Sequence, residues 1–311
     1  MPELPEVETV RRGLERLIVG KTITNVEHDW PKSFPNAPTD VKQFLEGAKI
    51  VSVRRRAKVL LIELDSSYSL VIHLKMTGQL VFVANSKYEK RNMKNGIGSL
   101  EESESLAELR FGAGHPNDSL IGELPDRSTR AIFTFKDGSH LYFNDQRKFG
   151  WIRLLPTVQV PEIDFFQKVG PEPLADDFLP RDFIARIRRR ANTSIKATLL
   201  DQTVIAGVGN IYADESLWGA RMHPASKVLD ISDEQLEILY SELRYVLNLS
   251  IEKGGSTDRN YVNAEGKRGS YIDFARVFRR ENLPCPRCQT TIEKSRVAGR
   301  GTHVCPVCQK L

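Results

Sequence analysis

The spacing of hydrophobic residues in the first half of the chain changes from helical to strand-like. Residues 5–17 repeat an apolar side chain on one helical face, which predicts an amphipathic helix near the start. From about residue 21 to 155, short apolar runs follow one another, which predicts an antiparallel β-sandwich or barrel. Asp137-Gly138 lies between two of these runs and is typical of a tight hairpin. The five clearest runs are 59–64, 69–74, 79–83, 131–135 and 140–143.

Beyond about residue 180 the apolar spacing becomes helical. Ser232 and Gln235 form a capping box at the start of the longest helical segment, which extends to about Lys253. A glycine-broken turn at 206–210 separates two shorter segments. The chain is therefore predicted to be α+β with two domains, a β-sandwich with a leading helix followed by a helical domain. The other helical segments are 181–191, 194–201 and 211–219.

Changes in composition mark the expected boundaries between these regions. Residues 84–128 interrupt the strand pattern with a polar, Gly/Ser/Asn-rich stretch and are expected to form an insertion or a mobile flap. Prolines 156, 161, 171, 173 and 180 mark a connection between the domains. The expected parts are a catalytic β domain at 1–155, a linker at 156–180, a helical domain at 181–270 and a cysteine-containing element at 271–311.

The composition is that of an ordinary globular protein. Of the 311 residues, 40% are hydrophobic and 27% are charged, and no apolar run has the length of a membrane span. The acidic start carries two prolines and no apolar segment typical of a secretory signal, so a cytoplasmic protein is expected. The net charge is −1 over residues 1–180 and +6 over residues 181–311, which favours a polyanionic partner for the second part.

All four cysteines lie near the end of the chain, in the pattern Cys285-x2-Cys288-x16-Cys305-x2-Cys308. Each pair can place two sulfurs on one ion, and the spacer suits a β-hairpin. Four thiolates form a closed tetrahedral site, so one structural Zn²⁺ is predicted. Two disulfides or an iron–sulfur cluster are the alternatives. Arg300 stands between glycines near the expected hairpin tip, where a guanidinium is suited to a phosphate.

The first residues also offer nucleophilic chemistry. Pro2 directly follows Met1, so removal of the methionine leaves a secondary amine at the start of the chain. An α-amino group has a lower pKa than a lysine, which increases the free-base fraction at neutral pH. Attack by a secondary amine on an electrophilic carbon gives an iminium directly. Glu3 is a neighbouring carboxylate that can transfer a proton.

Six segments in the same order resemble the formamidopyrimidine-DNA glycosylase family, which consists of bacterial enzymes that excise oxidised purines. They are MPELPEVETVRRGLE at the start, RRAKVLLIEL at 55–64, HLKMTGQL at 73–80, DQRKFG at 145–150, GVGNIYADESL at 207–217, and the cysteine hairpin with VAGRGTHVCPVCQ. The resemblance covers almost the whole chain, with residues 84–128 as the main stretch without a counterpart. It implies a helix–two-turns–helix fold at 181–270 and a zinc-finger β-hairpin at 271–311.

The resemblance implies a role for four residues in the reaction. Pro2 is expected to attack C1′ of the damaged nucleoside and form a Schiff base, and Glu3 to protonate the sugar ring oxygen. Lys58 is expected to contact a phosphate and to transfer a proton in β-elimination. Arg300 is expected to bind the phosphate beside the lesion and to act in δ-elimination. The implied activity is base-excision repair, by a DNA glycosylase for 8-oxoguanine and formamidopyrimidines that is also an AP lyase.

The resemblance also implies contacts with damaged double-stranded DNA, made by a monomer. Met76, Arg147 and Phe149 are expected to fill the space left by the extruded nucleotide. Gly207 and Gly209 are expected to let the backbone approach a phosphate. Further DNA contacts are implied for Lys196, Asn210, Tyr261, His73 and Arg130, and a place near the lesion for Glu6 and Thr77. The chain departs from the family pattern at Ser128-Thr129-Arg130, where His-x-His is frequent, at Ala191 and at Phe278-Arg279.

Three other functions stay open on the sequence alone. An endonuclease VIII-like enzyme for oxidised pyrimidines is the nearest, but Leu4 together with Arg147 and Phe149 favours the purine branch. A non-catalytic DNA-binding zinc protein is the second alternative. It is distinguished by whether the mature chain begins at Pro2, because a retained Met1 blocks the amine and leaves a protein that only binds DNA. A zinc-ribbon protein that binds RNA is disfavoured by the set of residues for extruding a single nucleotide.

Overall fold

The structure is a computed structural model that describes residues 2–85, 110–113, 120, 122–256 and 271–311. These residues divide into two compact units. The first contains Pro2 and Glu6–Ile163, and the second contains Glu3–Pro5, Asp164–Ser256 and residues 271–311. Most of the expected insertion at 84–128 lies outside the described residues, and so does Tyr261.

Two antiparallel sheets form the described part of the first unit. The four-stranded sheet has the order β2-β3-β4-β9, and the five-stranded sheet has the order β1-β7-β8-β5-β6. The strands are β1 Ile23–His28, β2 Ile50–Arg56, β3 Val59–Leu64, β4 Tyr68–His73, β5 Gly78–Val83, β6 Arg110–Ala113, β7 Thr129–Phe135, β8 His140–Asp145 and β9 Trp151–Pro156. Helix α1 (Leu4–Ile18) precedes them, α2 (Pro38–Phe44) follows β1, and a 3-10 helix (Thr157–Glu162) follows β9.

A single apolar core joins both sheets and α1. Leu60 and Ile62 of β3 belong to the same buried cluster as Phe133 and Phe135 of β7. The side chains that α1 contributes are Val7, Val10, Leu14 and Ile18. Each such side chain stabilises the fold by roughly 1.5–3 kcal/mol when it is fully removed from water. The predicted β-sandwich with a leading helix is confirmed.

The strands that the sequence predicted are the interior strands of the two sheets. The five apolar runs correspond to β3, β4, β5, β7 and β8, and each has a neighbouring strand on both sides. The four strands that were not predicted, β1, β2, β6 and β9, are the edges of the sheets. Edge strands carry more polar residues because one side has no paired strand. For example, β2 ends in three arginines, and β1 buries only Ile23 fully.

Helices and one β-hairpin form the described part of the second unit. The helices are α3 Asp164–Lys168, α4 Pro180–Arg188, α5 Ile195–Leu200, α6 Asn210–Gly219 and α7 Asp233–Glu252, with 3-10 helices at Val228–Asp230 and Tyr271–Phe274. The hairpin consists of β10 (Glu293–Val297) and β11 (Arg300–Val304). The capping box at Ser232 and Gln235 is confirmed, because each side chain bonds the backbone N–H of the other residue. The four predicted helical segments correspond to α4, α5, α6 and α7.

The second unit has a core of its own. Leu236, Leu239 and Leu243 form one buried face of α7. This face belongs to the same cluster as Phe183 of α4 and Tyr212 of α6. Among the described helices, none has both the length and the apolar character needed to cross a bilayer.

Candidate functional site

The residues that follow Pro2 are held by the glycine turn before α6. The Leu4 N–H donates to the Gly207 carbonyl oxygen at 3.0 Å. The Glu3 side chain is buried, and its Oε1 accepts a hydrogen bond from the Ile211 N–H at 3.1 Å. Ile211 lies in the first turn of α6, where free N–H groups and the helix dipole favour a negative charge. The sequence thus places a carboxylate next to Pro2, and the fold fixes this carboxylate at a helix N-terminus.

The glycines of this turn provide the space that Glu3 and Leu4 occupy. A Cβ on Gly209 would lie 2.2 Å from Cδ of Glu3. Gly207 has a φ of +78°, and a Cβ there would lie 2.7 Å from Cβ of Leu4. The N-terminal segment of the same chain therefore packs against these glycines. The expected approach of a DNA phosphate to the same turn stays a prediction.

Lys196 is fully buried and is held by hydrogen bonds inside the second unit. Its Nζ lies 2.6 Å from Oδ1 of Asp214. It also donates to the Gly301 carbonyl oxygen at 3.1 Å and to Oγ1 of Thr302 at 2.8 Å. Burial lowers the pKa of Lys196, although Asp214 and Glu3 act in the opposite direction. The ammonium of Lys196 therefore binds the strand that follows Arg300, and its predicted DNA contact stays a prediction.

Asp214 connects α6 to the same strand of the hairpin. Its Oδ2 accepts a hydrogen bond from the His303 N–H at 3.0 Å and lies 3.3 Å from Nδ1 of that histidine. Nδ2 of Asn210 donates to the Gly301 carbonyl oxygen at 3.0 Å. Arg300 is exposed and is the first residue of β11, directly after the hairpin tip. Asp214 was not among the candidates from the sequence, and it lies in a helix that is buried without interruption from Tyr212 to Trp218.

The four cysteines form one cluster. Their sulfur atoms all lie within 4.8 Å of one another, with 3.9 Å between Cys285 and Cys308 and 3.4 Å between Cys288 and Cys305. All four are free, which removes the disulfide alternative. Zn–S bonds of about 2.3 Å in a tetrahedron place the sulfurs about 3.8 Å apart. The donor set and spacing therefore fit one structural zinc, held by Cys285, Cys288, Cys305 and Cys308.

Lys58 lies in a tight turn of the first unit, beside His73. The turn between β2 and β3 consists of Ala57, with a φ of +55°, and Lys58, which is buried. Arg55 fixes this turn, because it donates to the Ala57 carbonyl oxygen at 2.8 Å. His73 is buried, and its Nδ1 accepts a hydrogen bond from the Lys75 N–H at 3.0 Å. Burial and the nearby ammonium groups of Lys75 and Lys58 lower the pKa of His73 to about 3. His73 is therefore neutral, and Lys58 and Lys75 supply positive charge beside it.

Three residues predicted to enter the DNA duplex are exposed in the first unit. Met76 is 40% exposed and Phe149 is 54% exposed, although both are apolar. The guanidinium of exposed Arg147 lies 4.8 Å from the centre of the Phe149 ring. Large exposed apolar side chains are typical of a binding surface. Thr77, in contrast, is half-buried and donates its hydroxyl hydrogen to Asp145.

Arg130 and Glu6 are both buried in the first unit. Nη1 of Arg130 lies 2.7 Å from Oδ2 of Asp29, and Nε donates to the Asp145 carbonyl oxygen at 3.2 Å. Arg130 thus binds groups of its own chain. It also lines a cavity of about 370 Å³ whose other lining residues are Arg127, Ser128, Gln146 and Lys148. The sequence analysis had not identified Arg127 and Lys148 as candidates, although both can attract an anionic group.

Comparison with known proteins gives matches to three family models along the chain. Residues 1–152 match the formamidopyrimidine-DNA glycosylase N-terminal domain, and residues 169–261 match the formamidopyrimidine-DNA glycosylase H2TH domain. Residues 282–311 match the zinc finger found in FPG and IleRS. A formamidopyrimidine-DNA glycosylase of Chloroflexus aurantiacus is 39% identical, over 99% of this chain and 98% of the relative.

Solved structures are similar over the same length. The MutM (Fpg) protein of Thermus thermophilus is 37% identical with a TM-score of 0.77, over 99% of this chain and 98% of that one. Lactococcus lactis Fpg, solved with DNA that contains N7-benzyl-Fapy-dG, is 32% identical with a TM-score of 0.81, over 100% of both chains. The same Lactococcus protein has also been solved with DNA that contains an abasic site.

The low pKa of His73 predicts a loss of stability in acid. In the unfolded chain, His73 binds a proton below its ordinary pKa near 6.5. In the folded chain, the same imidazole resists protonation down to a pH of about 3. Stability is therefore full above pH 6.5 and falls as the pH decreases toward 3. Between about pH 7 and about pH 5 we expect the wild type to lose about 2 kcal/mol more unfolding free energy than His73→Asn.

Urea unfolding of both proteins at the two pH values measures this difference. Asparagine keeps an oxygen that can accept the Lys75 N–H but has no titrating ring. An equal loss of stability in the two proteins would show that His73 does not resist protonation in the folded state.

Proposed function

This chain belongs to the formamidopyrimidine-DNA glycosylase family, and on that basis we propose that it is a base-excision repair enzyme. It removes oxidised purines, 8-oxoguanine and formamidopyrimidines, from duplex DNA and then cleaves the strand at the abasic site. The observation that carries this proposal is the buried Glu3 carboxylate at the N-terminus of α6, next in the chain to Pro2. An acid fixed beside a chain-terminal amine is what Schiff-base chemistry at a sugar carbon requires.

In the proposed first step, the Pro2 nitrogen attacks C1′ of the damaged nucleoside. The bond from C1′ to the base breaks, and the base leaves with the electron pair of that bond. Glu3 takes up the proton that the Pro2 nitrogen loses and donates it to the sugar ring oxygen, so that the ring opens and the amine becomes an iminium at C1′. The helix N-terminus holds the Glu3 carboxylate in one place before and after this proton transfer.

In the proposed second step, the iminium withdraws electrons and makes the C2′ hydrogen acidic. Removal of that proton breaks the C3′–O bond and releases the strand on the 3′ side, which is β-elimination. A further proton loss at C4′ breaks the C5′–O bond, which is δ-elimination, and hydrolysis of the iminium frees Pro2. Lys58 is proposed to bind a phosphate and transfer a proton in this step, and Arg300 to bind the phosphate next to the lesion.

DNA binding is proposed to use both units. Met76, Arg147 and Phe149 fill the space left by the extruded nucleotide, and Asn210 and Arg300 contact phosphates. The zinc site fixes the hairpin that carries Arg300 and supplies no catalytic step. As part of the same proposal, a monomer acts in the cytoplasm, residues 181–270 and 271–311 supply most phosphate contacts, and Tyr261 adds one more. Affinity for duplex DNA then decreases steeply with salt.

Borohydride trapping tests the nucleophile. The wild type, mixed with a duplex that contains one 8-oxoguanine opposite cytosine and reduced with borohydride, is expected to form a covalent adduct that maps to Pro2. We expect Pro2→Gly to form much less adduct, because glycine offers a primary amine. Glu3→Gln is expected to slow excision by about 100-fold or more, since it removes an acid that acts on the reacting sugar.

Intact-mass analysis of each protein is the control, because an uncleaved Met1 blocks the amine. An adduct that maps to a lysine, or no adduct from a chain shown to begin at Pro2, would refute the proposed nucleophile.

Gly209→Ala tests whether the position of Glu3 matters. The backbone of Gly209, with a φ of −131°, is one that alanine adopts readily, but the added Cβ would lie 2.2 Å from Cδ of Glu3. We therefore expect the carboxylate to move and single-turnover excision to slow by about tenfold or more, while the thermal midpoint changes by only a few degrees. Excision at the wild-type rate would show that this contact is not needed for the reaction.

A further inference from the structure

The three residues proposed to enter the duplex stand on two separate loops of the first unit. Met76 lies in the loop between β4 and β5, and Arg147 and Phe149 lie in the loop between β8 and β9. All three side chains are exposed, so their own packing does not fix the loops. To fill the space of one nucleotide, the three side chains must nevertheless enter the duplex together and in fixed relative positions. The structure provides a connection between the loops beneath these side chains.

Asp145, the last residue of β8, is the centre of this connection. Its side chain is buried, and its Oδ1 accepts hydrogen bonds from the Thr77 hydroxyl and from the Arg147 N–H, the latter at 3.2 Å. Its Oδ2 accepts a hydrogen bond from the Gly150 N–H at 2.6 Å. A single carboxylate therefore closes the 146–150 loop at both ends and binds the loop that carries Met76. Hydrogen bonds to an ionised carboxylate are stronger than those between neutral groups.

Thr77 makes a second connection between the loops. Besides donating to Asp145, its Oγ1 accepts a hydrogen bond from the Arg147 N–H at 3.1 Å. The Arg147 backbone is thus bound by one group from its own loop and by one group from the other. Both hydrogen bonds of the Thr77 hydroxyl therefore go to the loop between β8 and β9 and to the residue that precedes it.

Lys148 fixes the middle of the longer loop from the other side. Its backbone has a φ of +57°, and its ammonium lies 4.0 Å from the centre of the Trp30 ring. An ammonium over the face of an aromatic ring is attracted to the electrons of that ring. The residues on either side, Arg147 and Phe149, contact each other instead. In this loop the Lys148 side chain is therefore bound to Trp30, whereas the side chains of Arg147 and Phe149 remain exposed.

We propose that Asp145 and Thr77 are positioning residues that join the two loops into one preorganised wedge. Met76, Arg147 and Phe149 then enter the duplex as a unit, and the cost of ordering them is met in the free protein rather than at the moment of binding. The inference rests on the proposed function, since it concerns how the same DNA site works. It adds two residues that act through the loops they join.

Thr77→Val and Thr77→Ser test the proposal. Valine keeps the shape and removes both hydrogen bonds, whereas serine keeps the hydroxyl. We expect valine to slow single-turnover excision of 8-oxoguanine from duplex DNA by about tenfold, equivalent to about 1.4 kcal/mol. Cleavage of a single-stranded abasic oligonucleotide, which has no stacked base to extrude, is expected to change less than about twofold. Serine is expected to restore most of the duplex rate.

Thr24→Val is the matched control. Thr24 lies on β1, and its hydroxyl donates to the Thr134 carbonyl oxygen at 3.1 Å, away from both loops in sequence. The same exchange of hydroxyl for methyl there is expected to leave both rates unchanged. Equal losses on the duplex and on the single strand, or an unchanged duplex rate in Thr77→Val, would overturn the proposal.

Hydrogen exchange separates this inference from the proposed function. In the free protein, the Arg147 and Gly150 amides are expected to exchange about tenfold faster in Thr77→Val than in the wild type, because one acceptor is lost and the other is less constrained. This measurement needs no DNA. If the wild type neither excises the lesion nor forms an adduct, the proposed function fails while exchange still decides whether the loops are joined. Unchanged exchange at both amides would refute the wedge itself.

Discussion

The proposed chemistry depends on one close contact, in which the Glu3 carboxylate packs over Gly209 and binds the first turn of α6. A chain terminus is normally mobile, because few contacts hold it. Here the Leu4 N–H donates to the Gly207 carbonyl oxygen. The carboxylate of Glu3, one residue before Leu4, is bound at the N-terminus of α6. The two glycines make this approach possible, because a Cβ at either position would collide with Glu3 or Leu4.

The same helix supports the zinc hairpin through a buried charge pair. Lys196 and Asp214 are both fully buried, and together they bind three successive residues of β11, at Gly301, Thr302 and His303. Such a pair contributes little net stability, but loss of one partner leaves an uncompensated charge that costs about 3–5 kcal/mol. The geometry of the strand that begins with Arg300 is therefore specified by electrostatics as well as by the metal. Glu3 and the strand that carries Arg300, which have different roles in the proposed reaction, are therefore both held by α6.

The features that the sequence predicted are those whose signals lie within a short stretch of chain. The interior strands, the capped helix at Ser232 and the cysteine cluster were all predicted, because each depends on spacing within a short window. Edge strands were missed because pairing on one side permits polar residues. The internal roles of Lys196 and Thr77 were missed because each depends on partners distant in sequence. A lysine that reads as a DNA contact and a lysine that binds a buried aspartate have the same local pattern.

The buried Asp145 carboxylate holds the loop, whereas the side chains that the loop presents are exposed, and this separation has an evolutionary consequence. Asp145 binds backbone N–H groups at Arg147 and Gly150, and every residue except proline supplies such a group. Substitutions of Met76, Arg147 or Phe149 by residues other than proline are therefore expected to change the proposed DNA-facing side chains without altering the loop that presents them. New preferences for the base opposite a lesion can be acquired one side chain at a time, by mutation or by design, on a scaffold that stays the same.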